Sequence, residues 1–176
     1  ANDLRFALLL PHKGKVYIDF VSMFPENTFC GHKNGLREDV AGMLRDLRPD
    51  FVRWPGGCIV KGLTMDNRIK WKETIGDIVK RPGEYNLWGY RSTYGFGYHE
   101  FLQFCEDIDA DGMFVCNAGM SCLFRNGDYW EEENRIDNLI QEALDAIEYA
   151  LGDTTTVYGK RRAENGHAAP FPLKYV

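Results

Sequence analysis

The sequence has no long apolar run and no surplus of basic residues. Its longest uninterrupted apolar stretch covers residues 6–10, whereas a membrane-spanning helix needs about 20 such residues. The 21 lysines and arginines are outnumbered by 26 acidic residues, which gives a formal net charge of −5. An acidic chain without a basic stripe matches neither the phosphate backbone of a nucleic acid nor an anionic membrane. Composition therefore argues against nucleic-acid and membrane partners.

Patterns for metals, disulfides and cofactors are also lacking. The five cysteines form no Cys-x-x-Cys pair, and their odd number does not suit a disulfide scaffold. The four histidines are scattered along the chain, without the spacing that places two ligands on one helix face. Residues 95–100 begin like a dinucleotide fingerprint, but they follow a Trp-rich loop and lack the third glycine. The sequence therefore predicts no metal and no cofactor.

Helical and strand patterns alternate along a chain of one-domain length. Apolar residues at helical spacing predict three helices, and a β-prone run follows each of them. The helices are expected at 36–47, 98–108 and 136–151, and the strands at 51–54, 113–116 and 173–176. This alternation builds a parallel sheet with right-handed crossovers, as in a (β/α)8 barrel or a doubly wound sheet. A full barrel needs about 250 residues, so 176 accommodate only part of one.

Three stretches fall outside this alternation. Residues 4–10 and 15–23 are β-prone and flank a Pro-His-Lys-Gly turn, which predicts an N-terminal hairpin. Residues 58–97 show no sustained period, and loops of that length are usually functional or disordered. Residues 153–170 are polar and predict a loop.

Polar residues at the ends of the predicted strands are candidates for a functional site. Arg53, Cys58 and Asn117 lie at or just past the ends of the first two strands, where α/β proteins assemble their active sites. An arginine in an apolar strand either forms a buried salt bridge or points at a polar ligand, because an unpaired buried charge costs several kcal/mol. Both readings of Arg53 remain open.

The long loop is rich in aromatic residues. Five of them could stack on sugar faces while polar neighbours bind the hydroxyls. These five are Trp71, Tyr85, Trp88, Tyr90 and Tyr94. Packing beneath a flap accounts for any single one of them equally well.

Nine short motifs, in chain order, carry a family resemblance. They are residues 24–29, 34–37, 52–58 (VRWPGGC), 71–76 (WKETIG), 81–83, 87–90, 97–101, 115–119 and 162–167. Together they resemble the α-L-arabinofuranosidases of glycoside hydrolase family 51, especially the branch shared by plant and gut-bacterial enzymes.

The resemblance implies a fold and an activity. The fold would be α/β, a partial (β/α)8 TIM barrel of about three βα units over residues 24–176. Residues 1–23 would be a β-hairpin that ends an accessory β-sandwich module. The activity would be a retaining exo-glycosidase that removes terminal α-L-arabinofuranosyl groups from arabinan, arabinoxylan or arabinogalactan, by means of two carboxylates about 5–5.5 Å apart. In the family both catalytic glutamates follow the strand that begins at 173–176, so we expect them beyond Val176 and expect the isolated chain to be inactive.

The resemblance also implies part of a sugar-binding floor. Its residues would be Arg53, Cys58, Trp71 and Trp88, and the strand-end position of Asn117 adds that residue to the group. Two positions on the implied substrate face depart from the family. Lys61 stands where glutamate is usual and Tyr94 where aspartate is common, so the linkage preference is not carried over.

Other readings of the chain stay open. A non-catalytic carbohydrate-binding or interaction domain could use the aromatic loop 71–98 as its recognition surface. A half-barrel has open sheet edges, which predicts an oligomer or pairing with the missing half of the barrel. The first residues lack a secretory signal pattern. The chain is therefore mature, cytoplasmic or a piece of a longer protein, and a secreted or periplasmic location is favoured over a cytoplasmic one.

Overall fold

The computed structural model of the protein describes residues 5–176. Its helices are α1 (Glu38–Asp46), α2 (Gly57–Lys61), α3 (Tyr98–Asp107), α4 (Glu133–Leu151) and α5 (Val157–Glu164). Its strands are β1 (Phe51–Trp54), β2 (Glu84–Tyr85), β3 (Arg91–Ser92), β4 (Asp111–Phe114) and β5 (Leu173–Tyr175). Single 3-10 turns occur at Phe29–Gly31, Trp71–Thr74 and Ile78–Lys80. None of the described helices is both long and apolar enough to cross a membrane.

Three strands form a parallel sheet in the order β1-β4-β5. Phe51 pairs with Asp111 and Trp54 with Phe114, and Gly112 pairs with Leu173 on the other side. The strands β2 and β3 form a separate antiparallel ladder within the long loop. The predicted α/β class with a parallel sheet is confirmed, whereas the partial (β/α)8 barrel stays a prediction.

One face of the sheet carries the core. The side chains of Trp54 and Phe114 point at α3 and α4, where Tyr98, Phe101 and Tyr149 are fully buried. The rings of Trp54 and Phe101 are stacked with centroids 5.8 Å apart. Aromatic contacts of this kind add to the apolar area that the helices cover. The strand β1 is thereby fixed against the helix layer.

The helix α3 begins at Gly97, where the backbone passes so close to Thr74 that only glycine fits. A Cβ on Gly97 would lie 1.9 Å from the carbonyl oxygen of Thr74. The carboxylate of Glu100 accepts a hydrogen bond from the Gly97 N–H at 2.9 Å, which satisfies a donor that the first turn leaves free. The beginning of the helix layer is therefore tied to the long loop.

The predicted alternation largely matches the observed elements. The strand β1 has the predicted bounds, α1 and α3 fall within the predicted helical segments, and α4 begins at Glu133, before the predicted start at residue 136. The strand β4 lies two residues earlier than predicted, because its register is set by pairing with β1. The polar segment 153–170 contains α5, so the loop prediction there was wrong. Thr156 caps this helix by accepting a hydrogen bond from the Gly159 N–H at 3.2 Å.

The structure does not confirm the N-terminal hairpin. Residue 4 lies outside the described residues, and residues 5–27 lie in no helix or strand. Most of their large apolar side chains are exposed, including Phe6, Leu9 and Tyr17. A two-stranded hairpin is marginal unless its apolar face packs on something else. Here the described residues offer that face no partner, which accounts for the difference.

Candidate functional site

The loops that follow β1 and β4 meet at the carboxyl edge of the sheet. The N–H of Val115 donates to the carbonyl oxygen of Trp54 at 2.8 Å, which continues the pairing past the strand ends. Farther along, the N–H of Cys122 donates to the carbonyl oxygen of Gly62 at 3.0 Å. Residues from distant parts of the sequence are thus held side by side where active sites of parallel α/β folds are built.

Asn117 holds the β4 loop in place. Its Oδ1 accepts hydrogen bonds from the N–H groups of Gly119 and Met120 at 2.7 and 3.1 Å. Its Nδ2 donates to the carbonyl oxygens of Val60 and Met120, both at 3.0 Å. Because both ends of the amide are occupied by backbone groups, Asn117 positions the loop and is not free to bind a ligand.

Arg53 lies on the sheet face that the helices leave uncovered. Its neighbours Val52 and Trp54 turn toward the helices, whereas Arg53 is exposed. The alternative of a buried salt bridge therefore does not hold. An exposed guanidinium presents several N–H donors in a planar fork, which suits hydroxyl or carboxylate oxygens.

Cys58 lies in the first turn of α2, just past β1. The turn before it uses Gly56 at φ +103°, a conformation that other residues rarely adopt. Cys58 is half-buried, and its Sγ lies 3.7 Å from the Sγ of Cys122, which donates the hydrogen bond. This bond, together with burial, raises the pKa of the Cys58 thiol above its ordinary value. The thiol therefore stays protonated at neutral pH.

Trp71 belongs to the core. It is 4% exposed, and its Nε1 donates to the carbonyl oxygen of Glu142 at 2.9 Å. Its ring contacts those of Tyr98, Tyr149 and Tyr158, with centroids 5.2 to 5.7 Å away. These neighbours leave no ring face free for a sugar, which corrects the expectation that Trp71 is a stacking platform.

Trp88 lies on an exposed turn that we call the aromatic hairpin, residues 84–92. Trp88 is 52% exposed, and Tyr85 and Tyr90 beside it are also exposed. The buried side chain of Asn86 fixes the turn, since it accepts from the Trp88 N–H at 2.9 Å and donates to Ser92 Oγ at 3.0 Å. The aromatic hairpin thus exposes three aromatic rings on a turn that the hydrogen bonds of Asn86 hold in place.

Asn67 connects the aromatic hairpin to the loop after α2. Its Nδ2 donates to the carboxylate of Glu84 at 2.7 Å and to the carbonyl oxygen of Tyr85 at 2.8 Å. Its Oδ1 accepts from the Leu63 N–H at 3.0 Å. Neither Asn67 nor Cys122 was singled out from the sequence, because their partners are far along the chain and no local pattern marks them.

One group of side chains has the composition of a metal site. Cys30, His32 and Asp107 place their ligand atoms within 4.8 Å of one another. The Nε2 of His32 lies 2.8 and 3.0 Å from the two carboxylate oxygens of Asp107. These are hydrogen-bond distances and leave no room for an ion between the two groups. The cluster is a hydrogen-bonded pair of His32 and Asp107 beside the exposed thiol of Cys30.

One large cavity does not coincide with the strand-end residues. It has a volume of about 510 Å³ and lies beside α3, lined by His32, Arg81, His99 and Glu100 among others. The space between Trp54, Trp71 and Asn117 is about 20 Å³. The candidate site is therefore placed at the carboxyl edge of the sheet, where Arg53 and Cys58 lie, and Asn67 connects the aromatic hairpin to the loop after α2.

The fold and these residues define an α/β protein that gathers polar and aromatic loop residues at the carboxyl edge of a parallel sheet. A family model described as the α-L-arabinofuranosidase 1 domain matches residues 43–176. The chain belongs to this family, which confirms the resemblance seen in its motifs.

Relatives with this activity in their names match nearly the whole chain. It is 41% identical over 176 residues to α-L-arabinofuranosidase 2 of Arabidopsis thaliana, covering 99% of this chain and 25% of the relative. It is 38% identical over 170 residues to the extracellular exo-α-L-arabinofuranosidase of Streptomyces chartreusis, covering 90% of this chain and 20% of the relative. The chain thus spans about a quarter of the length of the curated relatives it matches.

Solved structures give the same family. The arabinose-bound α-L-arabinofuranosidase MgGH51 superposes with a TM-score of 0.78 at 38% identity, covering 85% of this chain and 23% of that one. The Thermotoga maritima α-L-arabinofuranosidase in its arabinose complex gives 0.63 at 27% identity, covering 86% and 27%. The parallel sheet and its helices therefore correspond to part of a family 51 glycoside hydrolase.

Proposed function

We propose that the protein is an α-L-arabinofuranosidase that removes terminal α-L-arabinofuranosyl residues from arabinose-containing plant polysaccharides. The observation that carries this proposal is the superposition on an arabinose-bound enzyme with a TM-score of 0.78. The family match over residues 43–176 supports it. In domain terms, residues 24–176 are the N-terminal portion of a barrel, and residues 1–23 come from an accessory module.

In this proposal the chain contributes sugar-binding groups. The exposed guanidinium of Arg53 and the thiol of Cys58 contact furanose hydroxyls, and Trp88 on the aromatic hairpin stacks on a sugar ring. Asn117 and Trp71 do not contact the sugar in this proposal. Asn117 holds the β4 loop in place, and Trp71 holds the 3-10 turn Trp71–Thr74 against α4. Hydroxyl binding and ring stacking together are typical of carbohydrate sites.

The reaction itself would be hydrolysis with retention. It needs one carboxylate as nucleophile and a second as acid and base, about 5–5.5 Å apart. We propose that both come from residues outside these 176. The chain's match to about a quarter of the length of its relatives supports this division.

Two measurements on the purified 176-residue chain test the proposal. Titration calorimetry with arabinofuranosyl oligosaccharides should show binding that Arg53→Ala weakens, while Arg45→Ala, an exposed arginine of α1, leaves it unchanged. Incubation with an aryl α-L-arabinofuranoside should release no phenol. If Arg53→Ala binds the oligosaccharides as tightly as the parent chain, the proposed site is wrong. If hydrolytic activity co-purifies with the chain, the catalytic carboxylates do not come from outside these 176 residues.

A second candidate function is non-catalytic carbohydrate binding through the aromatic loop 71–98. The three exposed rings of the aromatic hairpin, Tyr85, Trp88 and Tyr90, favour it. In that case Trp88→Ala should abolish oligosaccharide binding while Arg53→Ala has no effect. Loss of binding in both variants favours the glycosidase site instead.

The uncovered sheet face implies a further partner. Phe51, Arg53 and Tyr175 are exposed on it, and the rings of Phe51 and Tyr175 lie 6.2 Å apart. Parallel sheets are normally covered on both faces. We propose that further barrel residues, or a second copy of the chain, cover this face. The isolated chain should then associate, which light scattering measures.

A further inference from the structure

Two thiols from distant parts of the chain meet at the carboxyl edge of the sheet. Cys58 and Cys122 are 64 residues apart in sequence, and their Sγ atoms lie 3.7 Å apart. Within residues 5–176 this is the one hydrogen bond that joins two sulfur atoms. We propose that this pair is an oxidation site, at which a small-molecule disulfide converts the two thiols into a disulfide bond between the β1 loop and the β4 loop.

Hydrogen bonds hold the backbone segments that carry the two cysteines next to each other. The N–H of Cys122 donates to the carbonyl oxygen of Gly62, and the side chain of Asn117 donates to the carbonyl oxygen of Val60, both at 3.0 Å. These two hydrogen bonds join α2 and the β4 loop close to the two thiols. A disulfide has an S–S distance of about 2.05 Å, so the sulfurs must approach by roughly 1.7 Å. We expect rotation of the two side chains to supply this movement, while the two hydrogen bonds keep the loops together.

The two thiols differ in access, which sets the order of events. Cys122 is 3% exposed, whereas Cys58 is half-buried and open to solvent. An external disulfide therefore reaches Cys58 first. The pKa of Cys58 is raised, chiefly by the hydrogen bond from Cys122, although Lys61 and Arg125 act in the opposite direction. Because the thiolate is the nucleophile, the exchange is slow at neutral pH and faster in mildly alkaline buffer.

The chemistry balances with oxidised glutathione as the oxidant. The Cys58 thiolate attacks one glutathione sulfur, forms a mixed disulfide and releases one glutathione thiol. Cys122 then gives up its proton and attacks the Cys58 sulfur, which releases the second glutathione thiol. Two protein thiols are oxidised to one disulfide, while one glutathione disulfide is reduced to two thiols. Excess dithiothreitol reverses both steps.

The disulfide would also remove the Cys58 thiol from the proposed sugar site. This consequence rests on the proposed function. The Cys58 thiol can donate to and accept from a hydroxyl, whereas a disulfide sulfur has no proton to donate. The bond would also fix α2 against the β4 loop. Oxidation should therefore weaken binding of arabinofuranosyl oligosaccharides, and reduction should restore it.

Thiol counting after oxidation tests the site. The purified protein is incubated with oxidised glutathione at mildly alkaline pH, quenched by alkylation, and analysed in denaturant and by peptide mass spectrometry. The exposed Cys30 and Cys116 can each take up glutathione as well, so the count should fall by at least two from the five cysteines of the chain, and two of the lost thiols should carry no glutathione mass. A cross-linked peptide pair should contain Cys58 and Cys122. Retention of all five thiols, a cross-link between other cysteines, or a glutathione adduct that never closes would overturn the proposal.

Matched variants define which thiols react. In Cys122→Ser the reaction should stop at a glutathione adduct on Cys58, because the second thiol is missing. In Cys116→Ser, which removes an exposed thiol from the same loop, the cross-link should form as in the parent chain. Failure of Cys116→Ser to form it would contradict the assignment. Recovery of the five free thiols in dithiothreitol shows that the change is the reversible bond.

Sugar binding by the oxidised and reduced protein separates this proposal from the proposed function. Weaker binding after oxidation, reversed by dithiothreitol, supports both. A cross-link that forms without any change in affinity upholds the oxidation site and contradicts the role of Cys58 in sugar binding. Absence of the cross-link overturns the oxidation site, whatever the affinity for sugar.

Discussion

The two faces of the parallel sheet differ in burial, because helices cover one face and leave the other exposed. On the helix-covered face Trp54 is 9% exposed and packs on Tyr98 and Phe101. On the other face Phe51 is 49% exposed, and Arg53 is exposed beside it. All these β1 residues lie within four consecutive positions, and their side chains alternate because successive residues of a strand point to opposite sides. One short strand thus serves both the stability of the fold and the proposed recognition surface.

Polar groups follow the same division. On the helix side Arg162 is fully buried, yet its guanidinium donates to the carbonyl oxygens of Tyr149, Ala150, His167 and Ala168 at 2.8 to 3.2 Å. These bonds offset the cost of removing the charge from water. Groups on the open side, such as the Arg53 guanidinium, remain available to a ligand. We expect the covered side to respond to substitutions through stability and the open side through binding.

The largest expected effect is on the covered face. Trp54→Ala should lower the free energy of unfolding by about 4 kcal/mol, because it leaves a cavity among aromatic rings. Urea unfolding followed by circular dichroism measures this loss. Phe51→Ala, on the same strand but on the open face, is the control and should cost about 1 kcal/mol or less. Equal losses for the two variants would contradict the difference between the faces.

Arg162→Ala should have the next largest effect. The change removes a buried cation and leaves the carbonyl oxygens of Tyr149, His167 and Ala168 without their donor, so we expect a loss of about 3 kcal/mol in the free energy of unfolding. The adjacent Arg161 is exposed, and Arg161→Ala should change stability by about 0.5 kcal/mol or less. If Arg161→Ala costs as much as Arg162→Ala, the buried hydrogen bonds are not what stabilises α5.

A smaller effect concerns pH. Burial lowers the pKa of His99 from 6.5 to about 4, and its Nδ1 lies 2.8 Å from Tyr149 Oη. The unfolded chain therefore binds a proton between these pKa values that the folded chain does not. The stability contribution is complete above pH 6.5 and is lost as the pH falls toward 4, by about 2 kcal/mol between about pH 7.5 and 5.

Unfolding curves across that range measure the pH effect. His99→Gln should remove this part of the pH dependence, so its stability should fall less steeply on acidification than that of the parent chain. The partly exposed His32, paired with Asp107, provides the control, since His32→Gln should leave the contribution of His99 in place. Identical slopes for the parent and His99→Gln would show that His99 is not the group responsible.

The sequence was informative wherever a local period determined structure. The apolar spacing of α1, α3 and α4 and the apolar run of β1 are local patterns, and the structure has elements at those places. The helix α5 has no apolar stripe. It is held by the side chain of Arg162, whose acceptors lie in α4 and after α5. Stabilisation by distant partners leaves no local period, so that segment was predicted as a loop.

The candidate site divides in the same way. The strand-end positions of Arg53 and Cys58 follow from the alternation of elements, and the structure places both at the carboxyl edge of the sheet. Trp71 and Trp88 look alike in the sequence, since both lie in a loop without a period. Their difference in burial depends on Tyr98, Tyr149 and Tyr158 around Trp71, and no local pattern reports those contacts.

A charged residue on the open face should have the smallest effect on stability. It is also the most direct test of whether that face has a partner. If further barrel residues or a second copy cover this face, the isolated 176-residue chain should associate, because Phe51 and Tyr175 expose apolar surface next to unpaired sheet edges. Light scattering should then give a mass above 20.2 kDa. Phe51→Asp should shift the chain toward the monomer and change the free energy of unfolding of the monomer by about 1 kcal/mol or less.

Val157→Asp, at an exposed position of α5 on the helix side, is the matched control for that experiment and should leave association unchanged. A parent chain that stays monodisperse at 20.2 kDa would contradict the need for a partner on the open face. Association that Phe51→Asp does not weaken would place the contact elsewhere. Because the same face carries Arg53, association through it should also compete with oligosaccharide, so added ligand should shift the parent chain toward the monomer.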